Sequence, residues 1–117
     1  MNVKIKVTKN FKKQVKILLK KYHSLDSDLR DLESKLKGKP ELGIPLGFNA
    51  YKIRLAIKSK GKGKSGGARV MTYLETEIIG YVDKSKNVNL ISIYDKSEVD
   101  NISNKELKNL IENIEFD

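Results

Sequence analysis

The sequence predicts an α+β domain with the element order β-α-α-β-β-β-α, spanning residues 1–117 as one unit. Three observations carry this: period-two alternation in several separate stretches, two adjacent helical stripes, and a capping box near the C-terminus. Val3, Ile5 and Val7 alternate with Lys4 and Lys6, a short half-exposed strand. Thr8 is placed to cap the next segment, where Phe11, Val15, Leu18, Leu19 and Tyr22 recur on one helical face. Ser24 precedes a second stripe of Leu25, Leu29, Leu32 and Leu36, with Asp26 and Asp28 suited to its positive N-terminal end. Gly38 and Pro40 stop that helix, and the short break at His23 makes the pair an antiparallel hairpin.

Residues 41–49 contain Gly43, Pro45 and Gly47 and read as a connector. Tyr51, Ile53, Leu55 and Ile57 then alternate with Lys52, Arg54 and Lys58, a strand with a basic outer face. The tract 59–67, SKGKGKSGG, offers nothing to pack and predicts a mobile loop. Residues 68–81 are β-rich, 83–87 read as a turn, and 88–94 form a strand apolar on both faces and therefore interior. Ser103 and Glu106 match the S-x-x-E capping box of a last helix whose face is Leu107, Leu110, Ile111 and Ile114. Strands joined by short turns imply an antiparallel meander covered by the helix hairpin and the last helix.

Composition excludes several chemistries. The chain has no Cys, which removes disulfides, thiolate metal sites and a cysteine nucleophile. Its single His leaves no basis for paired-histidine catalysis or a histidine metal cluster, and His23 between two helices reads as a hairpin residue. No metal or cofactor is expected. No apolar run approaches the ~20 residues of a membrane span, and the lysine-rich start lacks the apolar core of a signal peptide, so a cytoplasmic protein without a membrane partner is expected.

Net charge is +9, and it is unevenly distributed. Residues 1–25 contain eight Lys and no acid, and residues 42–74 contain seven basic residues and no acid. Residues 26–41 are close to neutral, while residues 75–117 contain ten acids against five bases. Anionic partners should dock on the two basic blocks.

Within the second block, Gly63-Lys64-Ser65 resembles the end of a phosphate-binding P-loop. The motif needs a glycine at the position held by Lys58, and a strand rather than a helix follows, so nucleotide hydrolysis is rejected. An electrostatic clamp fits better. Lys60, Lys62 and Lys64 alternate with Gly and Ser, and Lys52, Arg54, Lys58 and Arg69 flank them. Tyr73 and Tyr94 are nearby candidates for stacking or phenolic chemistry. The same loop would otherwise be an ordinary solvated hairpin tip, and the leucine stripes are core.

The ordered set Tyr51-Lys52-Ile53-Arg54, Gly61-Lys62-Gly63-Lys64-Ser65-Gly66-Gly67-Ala68-Arg69-Val70 and Ile93-Tyr94-Asp95-Lys96-Ser97-Glu98 resembles the RelE/HigB toxins of bacterial type II toxin–antitoxin systems, within the RelE/ParE superfamily. The resemblance extends over nearly the whole chain through the element order. It implies a RelE-like fold and a ribosome-dependent, metal-independent mRNA endonuclease. Such an enzyme cleaves mRNA in the ribosomal A site, inhibits translation and is held inactive by a cognate antitoxin. It also implies an active site at Lys52, Arg54, Arg69 and Lys96. Where some members carry a tyrosine about six residues beyond the late basic residue, this chain has Ile102, and Tyr94 is the nearest substitute.

RNA cleavage without histidine needs a 2′-OH deprotonated, a phosphorane stabilised and a 5′-oxygen protonated. A lysine crowded by cations can move protons, and arginine stays charged. Lys52 is thus the candidate base or shuttle, Arg54 and Arg69 the phosphate grips, and Lys96 the acid or a second stabiliser. Lys58, Lys60, Lys62, Lys64 and Tyr73 are expected to contact RNA. Lys9, Lys12, Lys13, Lys16 and Lys20 on the first helix are expected to dock on ribosomal RNA. The rival readings are a ParE-like DNA gyrase inhibitor and a decayed member that binds RNA without cutting it.

Overall fold

A computed structural model describes residues 2–81, 83–97 and 101–117. The chain runs β1 (Asn2–Val7), α1 (Lys9–Leu19), α2 (Leu25–Gly38), β2 (Ile44–Gly47), β3 (Ala50–Leu55), β4 (Ala68–Ile79), β5 (Asp83–Asp95) and α3 (Asn104–Glu112). One five-stranded sheet forms in the order β1-β5-β4-β3-β2. β3 to β5 form the expected antiparallel meander, and β2 extends it by one strand that the sequence reading did not include. β1 pairs parallel to β5, because the helix hairpin carries the chain back across the sheet before the meander begins. The fold is α+β with a mixed sheet.

The capping signals act as the sequence suggests. Thr8 Oγ1 accepts from Phe11 N at 3.2 Å and donates to Leu90 O at 2.8 Å, fastening α1 to β5. Ser103 Oγ accepts from Glu106 N at 3.1 Å and starts α3. Ser24 behaves differently. It sits at the N-cap position, but its hydroxyl donates to Asp28 Oδ2 at 2.8 Å instead of taking a backbone N–H of α2.

Two packed layers cover the sheet. On one side the hairpin lays Phe11, Leu18, Leu25, Leu32 and Leu36 against Ile53, Leu55, Val70, Val88, Leu90 and Ile93. On the other, Leu107 of α3 packs on Ala50, Met71, Ile91 and Tyr94. Alternation therefore sends Lys52, Arg54, Arg69 and Tyr94 to the α3 side.

Four expectations are corrected. Residues 41–49 contain strand β2, whose Pro45 is tolerated because the strand is an edge and needs no donor on its outer side. Phe48 and Asn49, both at positive φ, close a two-residue turn into β3. Residues 83–87 are not a turn but the first part of β5, and the reversal comes earlier, around Gly80 at φ 71°. Ser85, Asn87 and Asn89 look like turn residues in sequence, yet all are buried. Asn87 Nδ2 donates to Glu77 Oε1 at 2.9 Å and Asn89 Nδ2 to Glu75 Oε1 at 2.8 Å, so β4 supplies partners that let the two asparagines sit in a strand. Leu19, assigned to the apolar face of α1, is 37% exposed.

The fourth correction is the 59–67 tract, which is folded. Lys58–Lys60 form one 3₁₀ turn that ends at Gly61 in the left-handed region, φ 71°. Ser59 N donates to Ser24 Oγ at 2.8 Å and Lys58 N to Asp28 Oδ2 at 3.2 Å, which explains why Ser24 is not available to α2. Gly67 closes the loop: a Cβ there would lie 2.0 Å from Leu55 O, so only glycine lets the strand ends meet.

Candidate functional site

The sheet register assembles the site. Arg54 pairs with Arg69, and Arg69 with Tyr94, so these three form one row across β3, β4 and β5. Lys52 lies in the next row, opposite Met71. Neighbouring strands lie about 4.8 Å apart, which puts two arginines and a tyrosine within the span of one nucleotide. Arg54 is exposed, whereas Arg69 is 5% exposed and Tyr94 is buried with the α3 cluster.

Arg69 is held from beneath. Its Nη1 donates to Lys64 O at 3.0 Å and Ala68 O at 3.1 Å, and its Nη2 to Ser65 O at 3.1 Å. Three of its five donors thus brace the loop. The Nε hydrogen and one on Nη2 have no partner among the described residues. The sequence reading assigned Arg69 to phosphate alone; in the structure it also shapes the loop that carries Lys62 and Lys64.

Outside this row, a groove of about 540 Å³ lies beside the end of β3 that runs past β2, between it and α2. Lys52, Arg54, Lys58 and Lys64 are among its lining residues, together with Asp28, Asp31 and Lys35 of α2. Bases outnumber acids along the groove, so it suits a polyanion. Lys52 Nζ donates to Asn101 Oδ1 at 3.3 Å, which ties it to the segment leading into α3. Lys58 departs from the expected strand face, because β3 ends at Leu55 and Lys58 turns toward α2, pairing with Asp31 at 3.2 Å. This exposed pair leaves Lys58 at the groove margin.

Lys60 is a correction of a different kind. Its side chain is 10% exposed and its Nζ lies 2.6 Å from Oδ1 of Asp95, a fully buried carboxylate. Lys60 is therefore an internal counter-ion, not a free loop cation. The same Oδ1 accepts from Ser97 N and Oγ, at 3.0 and 2.8 Å, while Tyr22 Oη donates to Oδ2 at 2.6 Å. Burial alone would raise the Asp95 carboxyl, but the bonds from Lys60, Tyr22 and Ser97 outweigh it and hold the group well below the ordinary carboxylate range. Their shared hydrogen bond, with burial and the negative charge beside it, raises the Tyr22 phenol. In the sequence Asp95 stands out only as part of the late motif, and its position immediately before Lys96 is the available signal. Lys96 N donates to Gly67 O at 3.1 Å, so the late basic residue is fixed against the same loop.

Lys62 and Lys64 are exposed at the loop tip, as expected. Tyr73 sits on the α3 side, opposite Ala50 and Asn89, and packs against the second cluster rather than standing beside the arginines. Lys9, Lys12, Lys13, Lys16 and Lys20 form an exposed surface on α1, with Lys12 paired to Asp117 at 3.1 Å. His23 is exposed in the α1–α2 turn, and Ile102 borders the second cluster. Glu98, the last residue of the late motif, lies outside the described residues. Among the described residues no His, Cys, Asp and Glu side chains gather as a metal site, and no helix is long and apolar enough to cross a membrane. No protein-family model matches the chain.

Proposed function

We propose that the chain is the toxin of a type II toxin–antitoxin pair, a RelE/HigB-like endonuclease that cuts mRNA in the ribosomal A site without a metal. The observation that supports this most is the Arg54–Arg69–Tyr94 row, flanked by Lys52, with a groove rich in basic residues lying beyond it between β3 and α2. In the proposed reaction Lys52 relays the proton away from the ribose 2′-OH. The 2′-oxygen then attacks the adjacent phosphorus, and Arg54 with the remaining donors of Arg69 neutralises the phosphorane. The bond from phosphorus to the 5′-oxygen breaks, Lys96 supplies the proton to that oxygen, and a 2′,3′-cyclic phosphate remains. Tyr94 stands beside Arg69 as a stacking or proton-relaying group.

The α1 lysines would meet ribosomal RNA, placing the groove over the message. The partner that silences the protein in the cytoplasm would be an antitoxin presenting an acidic or amphipathic segment to the basic groove. Arg54 is the clean residue to test, because its side chain is exposed and braces nothing. Expression of the native chain should arrest bacterial growth and produce new mRNA 5′ ends by primer extension. Arg54→Ala should abolish both while leaving the melting temperature unchanged. Growth arrest by the native chain with intact mRNA would point to gyrase inhibition instead, and unaltered cleavage by Arg54→Ala would refute the site.

A further inference from the structure

A second cavity, of about 520 Å³, opens on the other flank of Tyr94, between the start of α1, the bulged part of β5 and α3. Its chemistry differs from that of the basic groove. No lysine or arginine lines it. The walls carry the amides of Asn10, Gln14, Asn109 and Asn113, while Ile91, Ile102, Leu110 and Ile114 provide apolar sides. A phosphate would find no cation there, and Glu106 and Glu115 at its border would repel one. A flat, neutral, hydrogen-bonding group fits.

Gln14 is fixed in one orientation. Its Oε1 accepts from Ile93 N at 2.9 Å and from Ser92 Oγ at 3.1 Å, both at the β5 irregularity. That leaves the two Nε2 donors without a partner among the described residues. Asn10 Nδ2 donates to Ile91 O at 3.0 Å and lies 3.4 Å from Gln14 Oε1, so its Oδ1 remains an acceptor beside them. The Asn109 amide has no partner among the described residues. Paired donors and acceptors on side-chain amides are the chemistry that reads the edge of adenine, and aliphatic walls beside an aromatic ring hold an unstacked base.

We propose that this amide-lined cavity is a nucleobase subsite, with adenine preferred, for the nucleotide next to the phosphate gripped by Arg54 and Arg69. The assignment of that neighbouring phosphate rests on the nuclease reading; the base subsite itself does not. Tyr94 joins the two, since it lines the cavity and is the cross-strand neighbour of Arg69. The protein would then hold one base of the message while its arginines hold the backbone beside it, and sequence preference would originate on α1 and α3 rather than in the glycine loop.

Two small ligands separate the claims. Adenosine carries the base without a phosphate, and ribose 5-phosphate carries the phosphate without a base. In ¹⁵N-resolved NMR titrations, adenosine should shift the side-chain amide signals of Gln14 and Asn109, and ribose 5-phosphate should shift the guanidinium signals of Arg54 and Arg69. Gln14→Glu keeps the acceptor used by Ile93 and Ser92 but removes the donors, and should weaken adenosine about tenfold. Asn109→Ala, on the exposed side of α3, should weaken it severalfold with no contact to β5 to lose. Adenosine that leaves the Gln14 and Asn109 signals unmoved, or binds both variants as well as the native chain, would overturn the subsite. Ribose 5-phosphate that leaves both arginines unmoved, while adenosine binds normally, would uphold the subsite and remove the nuclease reading.

Discussion

Replacing Asp95 by Asn would leave the Lys60 ammonium buried with no counter-charge. Removing one partner of a buried ion pair costs about 3 kcal/mol or more, so Asp95→Asn should lower stability by that amount in urea unfolding. The same carboxylate governs acid stability. Its pKa in the fold lies below the value near 4 expected in the unfolded chain, so its contribution is complete above about pH 4 and is lost as pH falls further toward the folded pKa. The native chain should therefore lose stability steeply below pH 4, and Asp95→Asn should show a flatter profile over that range. Gly67 is the other residue on which the loop depends. With Leu55 O 2.0 Å from any added Cβ, Gly67→Ala must push β3 and β4 apart, and should cost about 3 kcal/mol by the same measurement. If Gly67→Ala unfolds at the native urea concentration, the loop does not close as described.

At the scale of elements, helices were legible and loops were not. The stripes of α1 and α2 and the Ser103–Glu106 box depend on spacing within a few residues, which a sequence displays directly. Ser103→Ala should accordingly cost about 1 kcal/mol and, because Asn101 lies just ahead of α3, should also loosen the Lys52 contact. The 59–67 tract appeared mobile because it has no apolar residue to bury. Its order comes instead from polar partners, most of them far away in sequence: Ser24 and Asp28 at the start of α2 and Asp95 on β5, with Arg69 bracing the loop from just beyond it. Asn87 misled in the same way, since its strand conformation depends on Glu77 of the neighbouring strand. Site residues followed this division. The basic face that holds Lys52 and Arg54 is visible from alternation and their role only from the family resemblance, while Lys60 could not be separated from Lys62 and Lys64 without knowing where Asp95 lies.

Across the whole molecule, charge sorts into surfaces with different tasks. The α1 lysines and the β3 groove are basic and solvent-facing, whereas the cavity beside Tyr94 is amide-lined and carries two glutamates with no lysine or arginine among the described residues. RNA affinity should fall with salt, with a slope near −3 on logarithmic axes if about four phosphates are neutralised, and Lys64→Ala should reduce that slope by about 0.7. A slope near zero would mean that the groove does not follow a phosphate backbone. Binding, however, does not distinguish a nuclease from an RNA-binding protein. The central claim is cleavage coupled to translation, and it is tested most directly in a purified translation reaction by mapping the 5′ ends of the message with and without ribosomes. The account predicts cuts within the reading frame that require ribosomes, persist in the presence of a metal chelator added after translation complexes have formed, and vanish with Arg54→Ala. Cuts that appear equally without ribosomes, or an intact message in every lane, would contradict it.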